Sequence, residues 1–206
     1  MSDHGQPMGE GKHGHGIMRK SRPWPYEELV HVPLMIHAPG IEGGQRIKGF
    51  VQNVDVTATI MDAMGQLDTE SGVSDHGMNT FGAEDFHGIS LLPMMQGKVD
   101  SIRDFAIAGY YGMSWSIITE EYSYVHWLVS EDEKDKADCV EGADKEMNED
   151  MWTCTAGAKV EMPAHNELYD RQKDPFQLNN IAKDHPEKAE ELLQQLKLFV
   201  GELRTS

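Results

Sequence analysis

Three short, closely spaced apolar runs between residues 105 and 128 constrain the fold of this chain more than any other feature. The runs are Phe105–Tyr111, Ser114–Thr119 and Ser123–Leu128. Gly112 interrupts the first gap and Glu120-Glu121 the second, which leaves no room for a helix. Strands this close together favour an antiparallel meander, and residues 167–170 could return as a fourth strand.

The last part of the chain predicts an amphipathic helix. Asp184-His185-Pro186-Glu187 has the residue types of a helix start. The apolar residues that follow at helical spacing are Ala189, Leu192, Leu193, Leu196, Phe199 or Val200, and Leu203. A helix with one apolar face needs a surface to cover, and the predicted meander offers one.

Shorter elements are predicted in the first half of the chain. Val32–His37 is typical of a buried strand near a sheet edge, and Arg46–Val51 of a short strand or extended arm. Asp55 is expected to cap a helix over Val56–Met64, with Gly65 as its stop. A short helix is predicted within residues 88–95. The residues expected to pack in the core from these two helices are Ile60, Met61, Met64, Met94 and Met95.

The charge of the chain limits its partners. Its 206 residues carry a net charge of −17, which argues against nucleic acid and anionic membrane surfaces as partners. Residues 1–48 differ from the rest, with six Lys/Arg against five Asp/Glu and five histidines. There is no run of eighteen apolar residues, so no membrane span is predicted. Cys139 and Cys154 could form a disulfide or remain free thiols.

An acid and an imidazole lie side by side in Ser2-Asp3-His4-Gly5. They can form a metal-ligand pair if both turn to one point, and Gly5 gives the backbone the freedom to turn them. A cation there, with Lys20 nearby, would make a pocket for a doubly charged anion such as a sulfate or phosphate group. The alternatives are an N-terminal tail without a role and a solvated loop lysine.

The order and spacing of several motifs resemble those of the sulfatases, which belong to the alkaline-phosphatase-like superfamily. The motifs are Ser2-Asp3-His4-Gly5, Gly14-His15-Gly16, Lys20, Tyr26-Glu27-Glu28, His31-Val32-Pro33-Leu34, residues 54–62, residues 88–93, Glu167-Leu168-Tyr169-Asp170, Asp174-Pro175 and Asn179-Asn180-Ile181-Ala182. The resemblance implies an α/β fold: the C-terminal part of an alkaline-phosphatase-like α/β sandwich, plus a small antiparallel four-stranded sheet covered by a C-terminal helix. Residues 1–99 would belong to the α/β core and residues 100–206 to a C-terminal subdomain, with an acidic insertion at about 130–162.

The resemblance also implies roles for the site residues. Asp3 and His4 would be metal ligands, and Lys20 would contact the sulfate ester. His15 would line the pocket or protonate a leaving group. The metal would be Ca²⁺, or Mn²⁺, Zn²⁺ or iron in relatives that cleave phosphonate or phosphate esters.

Other residues near these sites are either alternatives to them or have a different expected role. Lys12 is a rival to Lys20 for the contact with the ester, although the interval from His15 to Lys20 matches the family better. His13 is a rival to His15. Tyr26-Glu27-Glu28 is expected to anchor the loop to the sheet rather than to act on a substrate.

The resemblance is to the C-terminal portion of a sulfatase only. Sulfatases use a cysteine, oxidised to formylglycine, in a Cys-x-Pro/Ala-x-Arg motif, and neither Cys139-Val-Glu-Gly nor Cys154-Thr-Ala-Gly fits it. In the complete enzyme a metal-bound formylglycine hydrate would attack sulfur while Lys20 neutralises charge on the sulfuryl oxygens. This chain alone is expected to be inactive, because the attacking group is not in it.

Two other functions stay open. One is a phosphonate monoester or phosphodiester hydrolase of the same superfamily, with a transition metal in place of Ca²⁺. The other is a non-catalytic interaction module that forms a homo-oligomer through an exposed sheet edge and apolar patch. A leader peptide on a longer chain would imply a periplasmic or extracellular location, and its absence a cytoplasmic one.

Overall fold

The computed structural model of the chain describes residues 1–7, 14–15, 24–68, 81–82, 86–110, 114–128 and 165–203. By their contacts the residues form two compact units, Met1–Leu34 with Ile107–Ser206, and Met35–Ala106. The predicted division into 1–99 and 100–206 concerns membership of a larger core, and it stays a prediction. Lys12, His13, Lys20, both cysteines and the acidic insertion lie outside the described residues.

The described part of the chain contains four helices and six strands. In chain order they are α1 (Glu27–Val30), α2 (Val54–Ala63), β1 (Leu67–Asp68), β2 (Phe81–Gly82), α3 (Leu92–Met95), β3 (Ala106–Tyr110), β4 (Ser114–Ile118), β5 (Tyr122–Trp127), β6 (Glu167–Asp170) and α4 (Pro186–Leu203). None of the helices among these residues combines the length and the apolar character that crossing a bilayer requires.

The predicted meander is confirmed in the first unit. Strands β3 to β6 form one sheet in the order of the sequence, and β5 pairs antiparallel with both β4 and β6. Val125 at the middle of β5 lies opposite Ser116 of β4 and Glu167 of β6. This register places the side chains of Ser123, Val125 and Trp127 on one face of the sheet and those of Tyr122, Tyr124 and His126 on the other.

Helix α4 covers the tyrosine face of this sheet, as the sequence predicts. It packs on β4 and β5, and its Leu192 and Leu196 are each 2% exposed. The ammonium group of Lys188 lies 5.7 Å from the centroid of the Tyr122 ring. The helical spacing of the apolar residues therefore serves to bury one stripe of the helix against the strands.

The N-terminal segment covers the opposite face, which the sequence does not reveal. Trp24 and Tyr26 are buried there in one cluster with Val125, Trp127 and Tyr169. Both pairs of rings meet edge to face, with centroids 6.5 Å apart for Trp24 and Trp127 and 6.2 Å apart for Tyr26 and Tyr169. The sheet is thus the middle layer of the first unit, between the N-terminal segment and α4.

In the second unit, the prediction that Asp55 caps the start of α2 is wrong. The helix begins at Val54, and Asp55 lies inside its first turn with no exposed surface. The Asp55 carboxylate accepts the backbone N–H groups of Gln52 (2.7 Å) and Ile89 (2.9 Å) and forms an ion pair with Arg103. The carboxylate therefore ties the helix to two other segments, because its charge needs partners once it is buried.

Two further predictions in this half are wrong. Val32–His37 and Arg46–Val51 form no strand among the described residues, because an extended segment becomes a strand only when a neighbouring backbone pairs with it. Met35 is accordingly 80% exposed.

The buried side of α2 is also not the predicted one. It consists of Asp55, Ala58 and Thr59, whereas Ile60 and Met64 are 52% and 60% exposed. Met94 and Met95 of α3 are buried, as predicted.

Truncating Leu196 should destabilise the first unit strongly. Leu196→Ala removes a side chain that is 2% exposed, and we expect the free energy of unfolding to fall by about 2–5 kcal/mol. The matched control is Leu198→Ala on the same helix, where the side chain is 69% exposed and the loss should stay under about 0.5 kcal/mol. Urea unfolding followed by tryptophan fluorescence would measure both, and equal losses would contradict the packing of α4.

Candidate functional site

The carboxylate of Asp3 and the imidazole of His4 point to the same place. His4 Nε2 lies 3.6 Å from Asp3 Oδ2. His4 Nδ1 lies 2.6 Å from the carbonyl oxygen of Gly5, and because a carbonyl can only accept, Nδ1 carries the proton in the neutral ring. Nε2 then keeps its lone pair on the side of Asp3. This tautomer is the one that a metal-binding histidine needs, with the second nitrogen held by a backbone carbonyl.

Gly5 holds this pair against the end of α1. Its N–H donates to the carbonyl of Leu29 at 2.6 Å. A Cβ atom at position 5 would lie 2.0 Å from the carbonyl oxygen of Glu28, so no other residue fits without movement of the backbone. The glycine of the Ser2-Asp3-His4-Gly5 motif is therefore required by the close approach of two backbone segments.

Helix α1 is fixed to the sheet through its acidic residues. Glu27 forms an ion pair with Arg171 at 2.8 Å and with His31 at 3.0 Å. Arg171 also donates through Nη1 to the carbonyl of Thr119 at 2.6 Å, which joins the helix to the end of β4. Burial raises the pKa of Glu27, but the hydrogen bonds and charges of His31 and Arg171 outweigh it and lower the pKa below 4.5. The predicted anchoring role of Tyr26-Glu27-Glu28 is confirmed.

The His15 imidazole is held on three sides. Its Nδ1 lies 3.0 Å from Glu28 Oε1, and its Nε2 lies 2.8 Å from the carbonyl oxygen of Gln177. Its ring stacks on Tyr26, with centroids 3.8 Å apart and 6° between the planes. Both partners of the nitrogens are acceptors, so both bonds exist together only when the ring is the doubly protonated imidazolium.

The environment of His15 favours that charged form. Burial alone would lower the pKa of His15, but the hydrogen bonds to Glu28 and Gln177 and the negative charges of Glu28 and Glu167 raise it above 6.5. Both ring nitrogens are engaged within the protein, so a proton could pass to a leaving group only if one of these bonds opened. The catalytic role of His15 stays a prediction.

A buried carboxyl group lies under Tyr26. The Tyr26 hydroxyl is 3.2 Å from both carboxyl oxygens of Glu167, which is 5% exposed. Burial raises the pKa of Glu167 to about 7, although the hydrogen bonds of Tyr26 and Tyr169 and the charge of His15 act in the opposite direction. Close to neutral pH, this position therefore exchanges a proton while it remains inside the unit.

Three of the predicted site residues, Asp3, His4 and His15, are described by the structure, and Lys20 lies outside the described residues. Asp3 and His4 form a pair, and both this pair and His15 rest on the end of α1, since Glu28 abuts Gly5 with its carbonyl and meets His15 with its carboxylate. Sequence reasoning missed Gln177 and Glu167 as partners of this region. The position of Glu167 at the start of a predicted strand, directly before Leu168 and Tyr169, was a usable signal, whereas nothing local marks Gln177.

A known family model matches the N-terminal part of this chain. The sulfatase family model matches residues 1–66, the part of the chain that contains the Asp3–His4 pair, His15 and α1. The predicted resemblance is therefore confirmed, and it bears on the segment in which the metal ligands and the ester-contacting lysine were expected.

Similar proteins extend the sulfatase match beyond this segment. The chain is 27% identical over 165 residues to the N-acetylglucosamine-6-sulfatase of Capra hircus, a match that covers 77% of this chain and 27% of that protein. The chain thus spans about a quarter of the length of this curated relative.

Solved structures of sulfatase type share the fold. A 2-O GAG sulfatase matches with a TM-score of 0.54 and 20% identity, over 92% of this chain and 33% of its own. A protein solved with its substrate D-glucosamine-2-N,6-O-disulfate matches with a TM-score of 0.58 and 21% identity, over 93% of this chain and 32% of its own. These likenesses confirm the predicted α/β fold class.

The carboxylate oxygen of Asp3 and the imidazole nitrogen of His4 fit a divalent cation as ligands. Two ligand atoms bound to one cation at about 2.0–2.5 Å are roughly 3–3.5 Å apart, close to the separation seen between Asp3 and His4. Among the described residues, no group of three or more His, Cys, Asp or Glu side chains is placed to hold a metal. The two described donors would leave most of the coordination shell to water or to other groups.

Adding a methyl group at Gly5 should release the pair from α1. In Gly5→Ala the Cβ would overlap the Glu28 carbonyl, so the bond from the residue-5 N–H to Leu29 should open. We expect hydrogen exchange of the residue-5 amide to become about tenfold faster or more, equivalent to roughly 1.4 kcal/mol of local stability. Gly43→Ala is the control, because a Cβ there meets no atom within 4 Å. An unchanged exchange rate in Gly5→Ala would show that the close contact of Gly5 with α1 does not hold this segment.

The buried Glu167 should make the stability fall as pH rises. Its pKa is about 7 in the folded state against 4.5 otherwise, so its contribution is complete below pH 4.5 and is lost as pH rises through 7. The raised pKa of His15 acts in the same direction. Glu167→Gln stays neutral, so we expect it to be more stable than the parent chain at pH 8 by a few kcal/mol, on a scale of about 1.4 kcal/mol per pKa unit.

Urea unfolding between pH 4 and pH 8 would test this dependence. The exposed Glu42→Gln serves as the control and should keep the parent profile. A Glu167→Gln profile as steep as that of the parent chain would show that another group is responsible.

Proposed function

We propose that this chain is part of a sulfatase-type hydrolase and supplies a metal-binding pair and an anion-contacting lysine to a sulfate-ester site. The observation that supports the proposal most is the Asp3–His4 geometry, with Oδ2 and Nε2 3.6 Å apart and Nδ1 held by the Gly5 carbonyl. It lies in the segment that matches the sulfatase family. When bound, the cation would act as a Lewis acid on the ester oxygens.

The residues of this chain would have separate tasks. Asp3 and His4 would hold the cation, Gly5 would keep them against α1, and Lys20 would bind the oxygens of the ester by charge and hydrogen bonds. The His15 imidazolium would add a second positive charge to the same loop. The group that attacks the ester would come from outside these 206 residues, since neither cysteine lies in a suitable motif.

One observation favours the phosphorus-ester alternative in part. The histidine nitrogen with its lone pair suits a transition metal better than Ca²⁺, which prefers oxygen ligands. A phosphonate monoester or phosphodiester hydrolase with Mn²⁺ or Zn²⁺ is therefore the second candidate. The preference of the site among Ca²⁺, Mn²⁺ and Zn²⁺ separates the two.

Metal titration of the ¹⁵N-labelled chain would test the proposal. We expect Mn²⁺ to broaden the amide resonances of residues 2–5 with weak affinity, on the order of millimolar, because two protein ligands leave the cation largely hydrated. The variant Asp3→Asn/His4→Gln should lose this effect. The matched control is Asp184→Asn/His185→Gln, which changes the same dipeptide at an exposed position and should behave like the parent chain.

The outcome has three readings. Preferential broadening at residues 2–5 supports the metal pair, and competition by Ca²⁺ or by Zn²⁺ then indicates the sulfate or the phosphorus ester. Equal broadening at residues 2–5 and 184–185 contradicts it and, together with self-association in sedimentation, would favour the interaction module. Hydrolysis of an aryl sulfate by the isolated chain, at a rate removed by Lys20→Ala, would overturn the expectation that the chain is inactive alone.

A further inference from the structure

Gln177 has an unusual backbone conformation for its residue type. Among the described residues it is the one non-glycine residue with a positive φ, at 55°. It is also 1% exposed, in the connection between β6 and α4. A left-handed conformation costs a residue with a Cβ atom about 1–2 kcal/mol and persists where surrounding contacts require it.

Those contacts use every polar group of the residue. The Gln177 N–H donates to the carbonyl of Asp174 at 3.1 Å, and its side-chain Nε2 donates to the hydroxyl of Ser123 at 2.9 Å. Its Oε1 accepts the backbone N–H of Glu27 at 2.6 Å, and its main-chain carbonyl accepts Nε2 of His15 at 2.8 Å. One buried residue thus joins the sheet, the first residue of α1 and the loop that carries His15.

We propose that Gln177 is a positioning residue for His15, because its side-chain amide holds the turn in the one orientation that directs its carbonyl to the His15 ring. The contact joins residues that are 162 positions apart. His15 is one of the site residues that the sulfatase resemblance predicts. A role of the Gln177–His15 contact in sulfate-ester chemistry rests on the proposed function. The hydrogen bonds themselves do not depend on that function.

A plain packing role predicts something different. A glutamine that only filled space could be replaced by leucine, which has a similar volume, with a loss of stability but no effect on His15. A positioning role predicts that His15 changes its protonation, because its Nε2 loses the acceptor that favours the imidazolium. Glu28, Glu167 and Tyr26 are the other titratable groups facing His15, and a substitution at position 177 leaves all three side chains in place.

Nitrogen NMR of the His15 ring would separate the two roles. The ¹⁵N shifts of the ring report the protonation of His15 itself, and the coupling to Glu167 enters the midpoint of the parent chain and of the variants alike. In the parent chain the midpoint should lie above 6.5. In Gln177→Leu the midpoint should fall, because burial still lowers the pKa of His15 while one of the bonds that raises it is lost.

Two further variants complete the design. Gln177→Glu keeps an acceptor for Glu27, and Ser123 can donate its hydroxyl proton instead of accepting, so the midpoint should stay above 6.5. Gln172→Leu makes the same change at an exposed position of the same connection and should match the parent chain.

The result that overturns the proposal is a parent-like His15 midpoint in a folded Gln177→Leu chain. If Gln177→Leu does not fold, Ser123→Ala replaces it, since that variant removes only the partner of Nε2. It should lower the midpoint by a smaller amount, and no change would again contradict the proposal. A failure of metal binding at Asp3 and His4 would leave this result intact, so the two proposals fail separately.

Discussion

The first unit depends on the burial of the N-terminal segment against one face of the sheet. Tyr26 makes most of the contact, because its ring packs on Tyr169, stacks on His15 and places its hydroxyl on Glu167. Because α1 begins at the following residue, this contact also fixes the position of that helix. Gly5 and His15 then attach to α1, and the Asp3–His4 pair follows Gly5. The candidate site is therefore positioned by an aromatic side chain that would touch neither metal nor substrate.

The same interface contains several charged side chains that are buried or half-buried. Glu28 and Glu167 supply negative charge near the His15 imidazolium, and Glu27 is paired with Arg171. Burying any of these groups alone would be costly, and each is tolerated because a hydrogen bond or an opposite charge meets it. The arrangement links the protonation of His15 to that of Glu167, so the loop and the sheet respond to pH together.

The parts of the sequence that differ most from the predictions lie between Val32 and Met64, mostly in the second unit. Val32–His37 has the composition of a strand and no strand partner among the described residues, and the apolar side chains of Met35, Ile60 and Met64 are exposed. Asp55 instead organises this unit from inside α2, through Gln52, Ile89 and Arg103. The chain covers about a third of the solved structures that share its fold. Composition alone could not reveal which apolar side chains of this unit are buried within it.

The sequence by itself determined the elements whose signals are local. The spacing of short apolar runs predicts β3 to β6, and the helical repeat from Ala189 predicts α4, because both depend on which side chains share a face. The adjacent donors of the Ser2-Asp3-His4-Gly5 motif likewise predict that Asp3 and His4 lie close together, and their role as metal ligands stays a prediction. Only the tertiary structure decided what lies against the second face of the sheet, and that His15 meets Gln177 from 162 positions away. No periodicity records such a contact, since it arises from two segments that fold onto the same surface.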